Sequence, residues 1–174
     1  MKIFITNLGR YNEGYLVGKW VKLPVCEDVL DKVLKEIGID EYYEEYFITD
    51  YENEIIGIGD VISEYSSVQA LNELAQRLED LSDDEANKLG AVLEYEACRS
   101  VSDVLELLDK LDEFDLLTDV TDDEELGYYY AEEYCCIDIP EHIQPYFDYE
   151  KFGRDVRLQS CCLYTSYGFL LDNR

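Results

Sequence analysis

An α+β fold is what this sequence predicts, and three observations carry it. Stretches near both ends alternate apolar and polar residues around glycines, as short strands do. Between 66 and 112, leucine and valine recur at helical spacing. Capping sequences, a Ser or Thr followed three residues later by an acid, stand before successive apolar stripes. The predicted organisation is three small domains with an acidic outer surface: an α+β domain over 1–62, a helical domain over 63–112 and an α+β domain over 113–174.

Residues 1–23 alternate around Gly9, Gly14 and Gly18, predicting two short strands joined by a glycine-rich turn. Pro24 opens a helical run. Val25, Val29, Val33 and Ile37, with Leu30 and Leu34, share one stripe of it, while Glu27, Asp28, Asp31 and Glu36 fall elsewhere. Gly38 supplies the C-terminal cap. Residues 46–49 read as a strand, with 55–58 pairing to it across a turn at 50–53.

The middle segment predicts three helices. Ser67 caps the first, whose apolar positions are Val68, Leu71, Leu74, Leu78 and Leu81. Ser82-Asp83-Asp84-Glu85 is a capping box before a second helix containing Leu89 and Leu93. Ser100-Val101-Ser102-Asp103 is a looser version before a third, with Val101, Val104, Leu105, Leu108 and Leu111 inward. Residues 114–120 predict a strand, and Thr121-Asp122-Asp123-Glu124 a capping box leading a helix through Leu126, Tyr130 and Tyr134. Pro140 and Pro145 bracket a turn or short helix. Residues 148–157 read as irregular or helical, and 158–171 as strand with a bend at Gly168.

Charge bounds the function. The chain sets 41 Asp and Glu against 14 Lys and Arg, a formal −27 over 174 residues, yet 47% of its residues are apolar or aromatic. Disordered acidic tails lack such apolar content, so this chain folds and keeps its carboxylates solvated outside. A compact globule of this length has a radius of gyration of roughly 16 Å and a diameter of about 40 Å. Forty ångströms of B-DNA carry roughly 24 phosphates, so the charge density matches that of a duplex. Direct nucleic-acid binding is strongly disfavoured, since phosphates would meet like charge; a protein with a basic groove fits instead. The opening residues have no signal-peptide pattern, no stretch approaches the roughly 18 apolar residues that span a bilayer, and anionic headgroups repel the surface. The chain therefore reads as cytoplasmic, without membrane association.

Catalytic and cofactor signatures are weak. Cys26, Cys98, Cys135, Cys136, Cys161 and Cys162 include two adjacent pairs but no C-x-x-C, and His142 is the single histidine. In a reducing cytosol these cysteines read as small buried apolar residues, not metal ligands. Phosphate-binding glycine loops and the calcium-loop pattern are missing. Among 41 acids some carboxylate pair is always close, so paired acids carry no information about hydrolysis. No catalytic residue, cofactor or metal set is predicted. Sixteen tyrosines suit thin, half-buried domains, and Tyr128, Tyr129 and Tyr130 cannot all face one core.

Three stretches resemble the ArdA antirestriction family: 3–14 (IFITNLGRYNEG), 44–52 (EEYFITDYE) and 146–156 (YFDYEKFGRDV), with a terminal 165–168 (TSYG) similar to the family's end. The resemblance runs in order along nearly the whole chain. It implies a homodimeric, elongated three-domain protein of plasmids and mobile elements that imitates bent B-form DNA. Such a protein inhibits type I restriction–modification enzymes by occupying the DNA groove of their specificity and methyltransferase subunits. Asp148, Tyr149, Glu150, Phe152, Gly153, Arg154 and Asp155 match the antirestriction motif, which the resemblance links to the dimer region. The adjacent cysteines and the run 119–125 depart from the family pattern.

On this reading the phosphate stand-ins are Glu27, Asp28, Asp31, Glu36, Glu44 and Glu45, then Glu73, Glu79, Asp80, Asp83, Asp84 and Glu94, then Asp109, Asp112, Asp122 and Asp123. A dimer's formal −54 (2 × 27) equals the phosphates of roughly 27 base pairs. Two alternatives are an acidic module that inhibits another basic DNA-binding protein and a metal-dependent hydrolase. Self-repulsion generates a direct expectation: moderate salt raises the melting temperature. A thermal scan with no rise between low and moderate salt would mean the acids are already paired.

Overall fold

The computed structural model describes residues 1–55, 57–134, 137 and 139–174. They group into two units, one of Met1–Ala86 with Ala97–Asp109, the other of Asn87–Glu96 with Lys110–Arg174. Helix and antiparallel sheet occur together in each, which agrees with the α+β expectation.

The first unit is built on β1 (Lys2–Asn7), whose Ile3 and Ile5 are fully buried. It lies between β2 (Gly18–Lys22) and β3 (Tyr46–Glu52), antiparallel to both. The β1–β2 connection is not a bare glycine turn, because it contains a short helix, α1 (Leu8–Asn12). Asn7 explains the difference. Its side chain is buried; Oδ1 accepts from Arg10 N at 2.9 Å and starts α1, while Nδ2 donates to the carbonyls of Ile37 and Gly38. Those carbonyls end α2 (Glu27–Glu36), where Gly38 takes a positive φ of 78°, the left-handed cap expected of it. Val33 and Ile37 are buried as the stripe requires, but Val29 is exposed. Among the described residues the predicted pairing of 55–58 is not seen: β3 continues through Asp50 to Glu52 on β1, and Ile58–Val61 form a 3₁₀ turn. Ile56 lies outside the described residues.

Ser67 caps α3 (Val68–Glu79), donating no side-chain proton there but accepting from Ala70 N. α3 packs on α5 (Val101–Asp109) through Leu71, Leu74, Val104 and Leu108, all buried. Val101, Val104, Leu108 and Leu111 are buried as predicted; Leu107 is buried as well and Leu105 only partly. α4 (Asp83–Tyr95) gives its first turn to this unit and the remainder to the other. Its capping box forms as read: Ser82 N and Oγ both donate to Glu85 Oε2 at 2.8 and 2.7 Å.

In the second unit, β4 (Phe114–Leu117) and β5 (Cys162–Thr165) flank β6 (Gly168–Asp172). β4 is shorter than the predicted 114–120 strand, because Val120 turns into the core instead. The predicted strand 158–171 is a hairpin preceded by helix, and Gly168, with φ 130°, makes its bend against the carbonyl of Leu117. α6 (Asp123–Tyr128) and α7 (Tyr149–Gln159) lie together, with Leu126, Val120 and Phe169 buried as a core. The α6 cap falls one residue later than predicted: Asp122 accepts from Glu125 N, and Glu125 reaches back to Thr121 N and Oγ1. Beyond Tyr128 the helix widens to a π turn, Tyr129–Glu133. Residues 148–157 are helical, and the proline-bracketed stretch holds a 3₁₀ turn, Gln144–Tyr146.

α6 and α7 meet backbone to backbone at Gly127 and Gly153. A Cβ on Gly153 would overlap the carbonyl oxygen of Asp123, and one on Gly127 that of Tyr149. Since both obstacles are main chain, Gly153→Ala is expected to cost about 3 kcal/mol, the upper range for overpacking. Urea unfolding checks this; a loss below about 0.5 kcal/mol would mean that the helices separate without penalty.

Candidate functional site

The charge surplus belongs to both units. The first carries 23 acids against 8 bases, net −15, and the second 18 against 6, net −12. Burying an unpaired carboxylate costs several kcal/mol, so the acids stay outside. Of the sixteen candidate phosphate stand-ins, all but Asp123 are exposed.

Their side chains differ in what already occupies them. Glu36 pairs with Lys19, and Asp109 accepts from Arg77 at 2.8 Å. Glu94 receives the backbone N and hydroxyl of Ser166, and Asp122 caps α6. The other eleven exposed candidates form no side-chain hydrogen bond or ion pair among the described residues. These are Glu27, Asp28, Asp31, Glu44, Glu45, Glu73, Glu79, Asp80, Asp83, Asp84 and Asp112. Lys2, Arg10, Lys19, Arg77, Arg157 and Arg174 are meanwhile engaged with acids of their own unit.

Asp123 is different in kind. Its carboxylate accepts from Arg157 Nε at 2.7 Å and Arg157 Nη2 at 3.0 Å, and from the Tyr164 hydroxyl at 2.9 Å. Arg157 chiefly, helped by Tyr164, holds its pKa below the usual carboxylate range. Asp123 thus joins the start of α6 to the end of α7 and to β5, and its charge is neutralised from within.

The motif residues form the first two turns of α7. Asp148 is the N-cap, accepting from Lys151 N at 3.0 Å. Tyr149 donates its hydroxyl to Glu132 at 2.7 Å, which pushes its pKa up to about 12. Phe152 packs edge-on against Phe147, and Gly153 makes the helix contact described above. Glu150, Arg154 and Asp155 are exposed and form no ion pair among the described residues.

A feature missed in the sequence lies beside the motif. Between β4 and α6 is a cavity of about 630 Å³, walled by Asp119, Glu124, Glu133, Tyr128, Tyr129 and Tyr149 among others. The tyrosine triplet was its only sequence signal; Tyr128 is indeed exposed. The cysteines correct the burial expectation: Cys26 and Cys161 are exposed and Cys162 is half-buried, all as free thiols, while Cys135 and Cys136 lie outside the described residues. Among the described residues no cluster of three His, Cys, Asp or Glu converges as a metal site. No helix among them is long and apolar enough to cross a membrane.

A family model described as Antirestriction protein (ArdA) matches residues 3–170. The chain belongs to the ArdA antirestriction family. No curated protein matches it. Membership makes this an antirestriction protein and points to restriction enzymes in general as its targets; it is not a known enzyme family. In this ArdA protein the stretch 148–155 is a helix start whose N-cap and glycine contact are built into the fold of the second unit.

The same unit has an acid-sensitive latch. Arg174 donates to Asp172, whose pKa it lowers to about 2, and also to Glu96, and it stacks over Phe114 at 4.6 Å. A carboxyl depressed on folding stabilises the fold above its unfolded pKa and loses that contribution as pH falls through the folded value. The stability difference between wild type and Asp172→Asn should therefore be constant above about pH 4 and shrink toward about pH 2. Denaturation curves of both proteins across that range check it; a constant difference would exclude the latch.

Proposed function

We propose that this ArdA protein is a DNA mimic that inhibits type I restriction–modification enzymes by occupying their DNA-binding groove. In this reading a homodimer contacts the specificity and methyltransferase subunits, binds no nucleic acid itself and acts in the cytoplasm of cells that receive mobile elements. The division into three domains along an elongated chain, and the contribution of Glu150, Arg154 and Asp155 to the dimer region, belong to the same proposal.

One observation carries it: eleven exposed carboxylates, ten in the first unit and Asp112 in the second, have no partner among the described residues, while six of the fourteen Lys and Arg are paired with acids of their own unit. Such a surface presents net negative charge to any basic groove. Like a phosphate backbone, it draws its affinity from many weak contacts. Neutralising one of these acids should alter association rate and salt dependence more than final affinity.

The test is a cleavage assay with one type I enzyme, titrated with this protein, duplex DNA and salt. Duplex DNA should compete, and inhibition should weaken steeply between 50 and 200 mM salt, as polyelectrolyte contacts do at about that range. Any single neutralised acid, for example Glu73→Gln, should shift the inhibitory concentration by less than about fivefold, the equivalent of a 1 kcal/mol rim contact. Inhibition that neither salt nor DNA reduces would overturn the mimic mechanism. Tight stoichiometric uptake of Mg²⁺ or Mn²⁺ in calorimetry would favour hydrolysis in its place.

A further inference from the structure

The cavity beside the motif has a composition that generic polyanion binding does not require. Its lining contains five acids and three tyrosines and no lysine or arginine. Two of those acids have structural duties, Asp122 as the α6 cap and Glu125 as the partner of Thr121. Asp119 and Glu124 have none among the described residues and are exposed. The tyrosine walls are held in place: the Tyr128 and Tyr149 rings touch with centroids 5.6 Å apart, tilted at 52°, and the Tyr149 hydroxyl is fixed on Glu132. Its volume of about 630 Å³ leaves room for a long side chain to enter from a docked segment.

Carboxylates next to aromatic faces select among cations. Arginine presents a planar fork that meets a carboxylate with two hydrogen bonds and lies flat on a ring. Lysine is a compact, strongly hydrated point charge that does neither as well. We infer that this cavity is a receptor for an arginine side chain carried on a basic segment of the partner protein. Asp119 and Glu124 take the guanidinium, which lies on the half-exposed Tyr128 ring that Tyr149 supports. The cavity would make one place on an otherwise distributed surface choosy about its contact. This inference deepens the proposed function and rests on its premise of a basic protein partner.

The experiment is an NMR titration of the full-length ¹⁵N-labelled protein with capped tri-arginine and, separately, capped tri-lysine, at moderate salt. Shifts from tri-arginine should concentrate at 116–129 and 149, with affinity about 2–5-fold above tri-lysine, the range for an exposed cation–π contact. Tyr128→Ala and Glu124→Gln, both at exposed positions, should each erase the arginine preference while distant amide shifts stay unchanged. Equal, diffuse shifts from both peptides over the acidic surface would overturn the receptor and leave the mimic reading standing. An arginine preference that survives both substitutions would overturn it as well. Localised arginine binding, with cleavage inhibition indifferent to DNA and salt, would uphold the receptor and sink the mimic mechanism.

Discussion

Forty-one carboxylates in 174 residues repel one another wherever solvent does not separate them, and this repulsion organises the chain. Acids are kept off the inside of both units, whose cores are leucine, isoleucine, valine and phenylalanine. The buried polar residues named in the cores are Thr6 and Asn7, and Asn7 is fully hydrogen-bonded. Acids that come near the backbone do so where helices begin. Asp103, Asp122, Asp148 and Glu85 each meet orphan N–H groups there, so charge and capping cooperate. A cap of this kind contributes roughly 0.5–2 kcal/mol, enough that several of them matter to thin domains.

Cations serve the fold within this frame. Arg157 and Arg174 each hold two points of the second unit, one through Asp123 and the other through Asp172 and Glu96. Being spent internally, they do little to offset the outer field. That division of labour leaves the exposed acids free for a partner and ties the antirestriction motif to folding. Asp148 caps, Phe152 packs and Gly153 lets α6 and α7 meet backbone to backbone, so much of the stretch 148–155 serves helix docking. Glu150, Lys151, Arg154 and Asp155 are exposed on this helix.

Much of this was legible one residue at a time. Ser67, the Ser82–Glu85 box and Gly38 do what their local chemistry dictates, because a cap involves residues three or four apart. The α+β class and the outward acids were legible for the same kind of reason: periodicity and charge are properties of the string. The misreadings are non-local. Asn7 starts α1 with the help of α2's last carbonyls, thirty residues away. Residues 50–52, expected as a turn, stay in strand because β1 offers them a partner. Cys161 sits at the exposed entrance to a hairpin that composition could not locate.

By itself the sequence determined the family, the mixed helix-and-strand class, the sign of the surface and the caps, since each depends on short-range chemistry or on counting. Tertiary structure alone decided that Asp123 is neutralised within, that Gly127 and Gly153 touch, and that acids and tyrosines close around one cavity. Those facts need atoms from distant segments within a few ångströms of each other, and spacing along a chain does not encode distance across it.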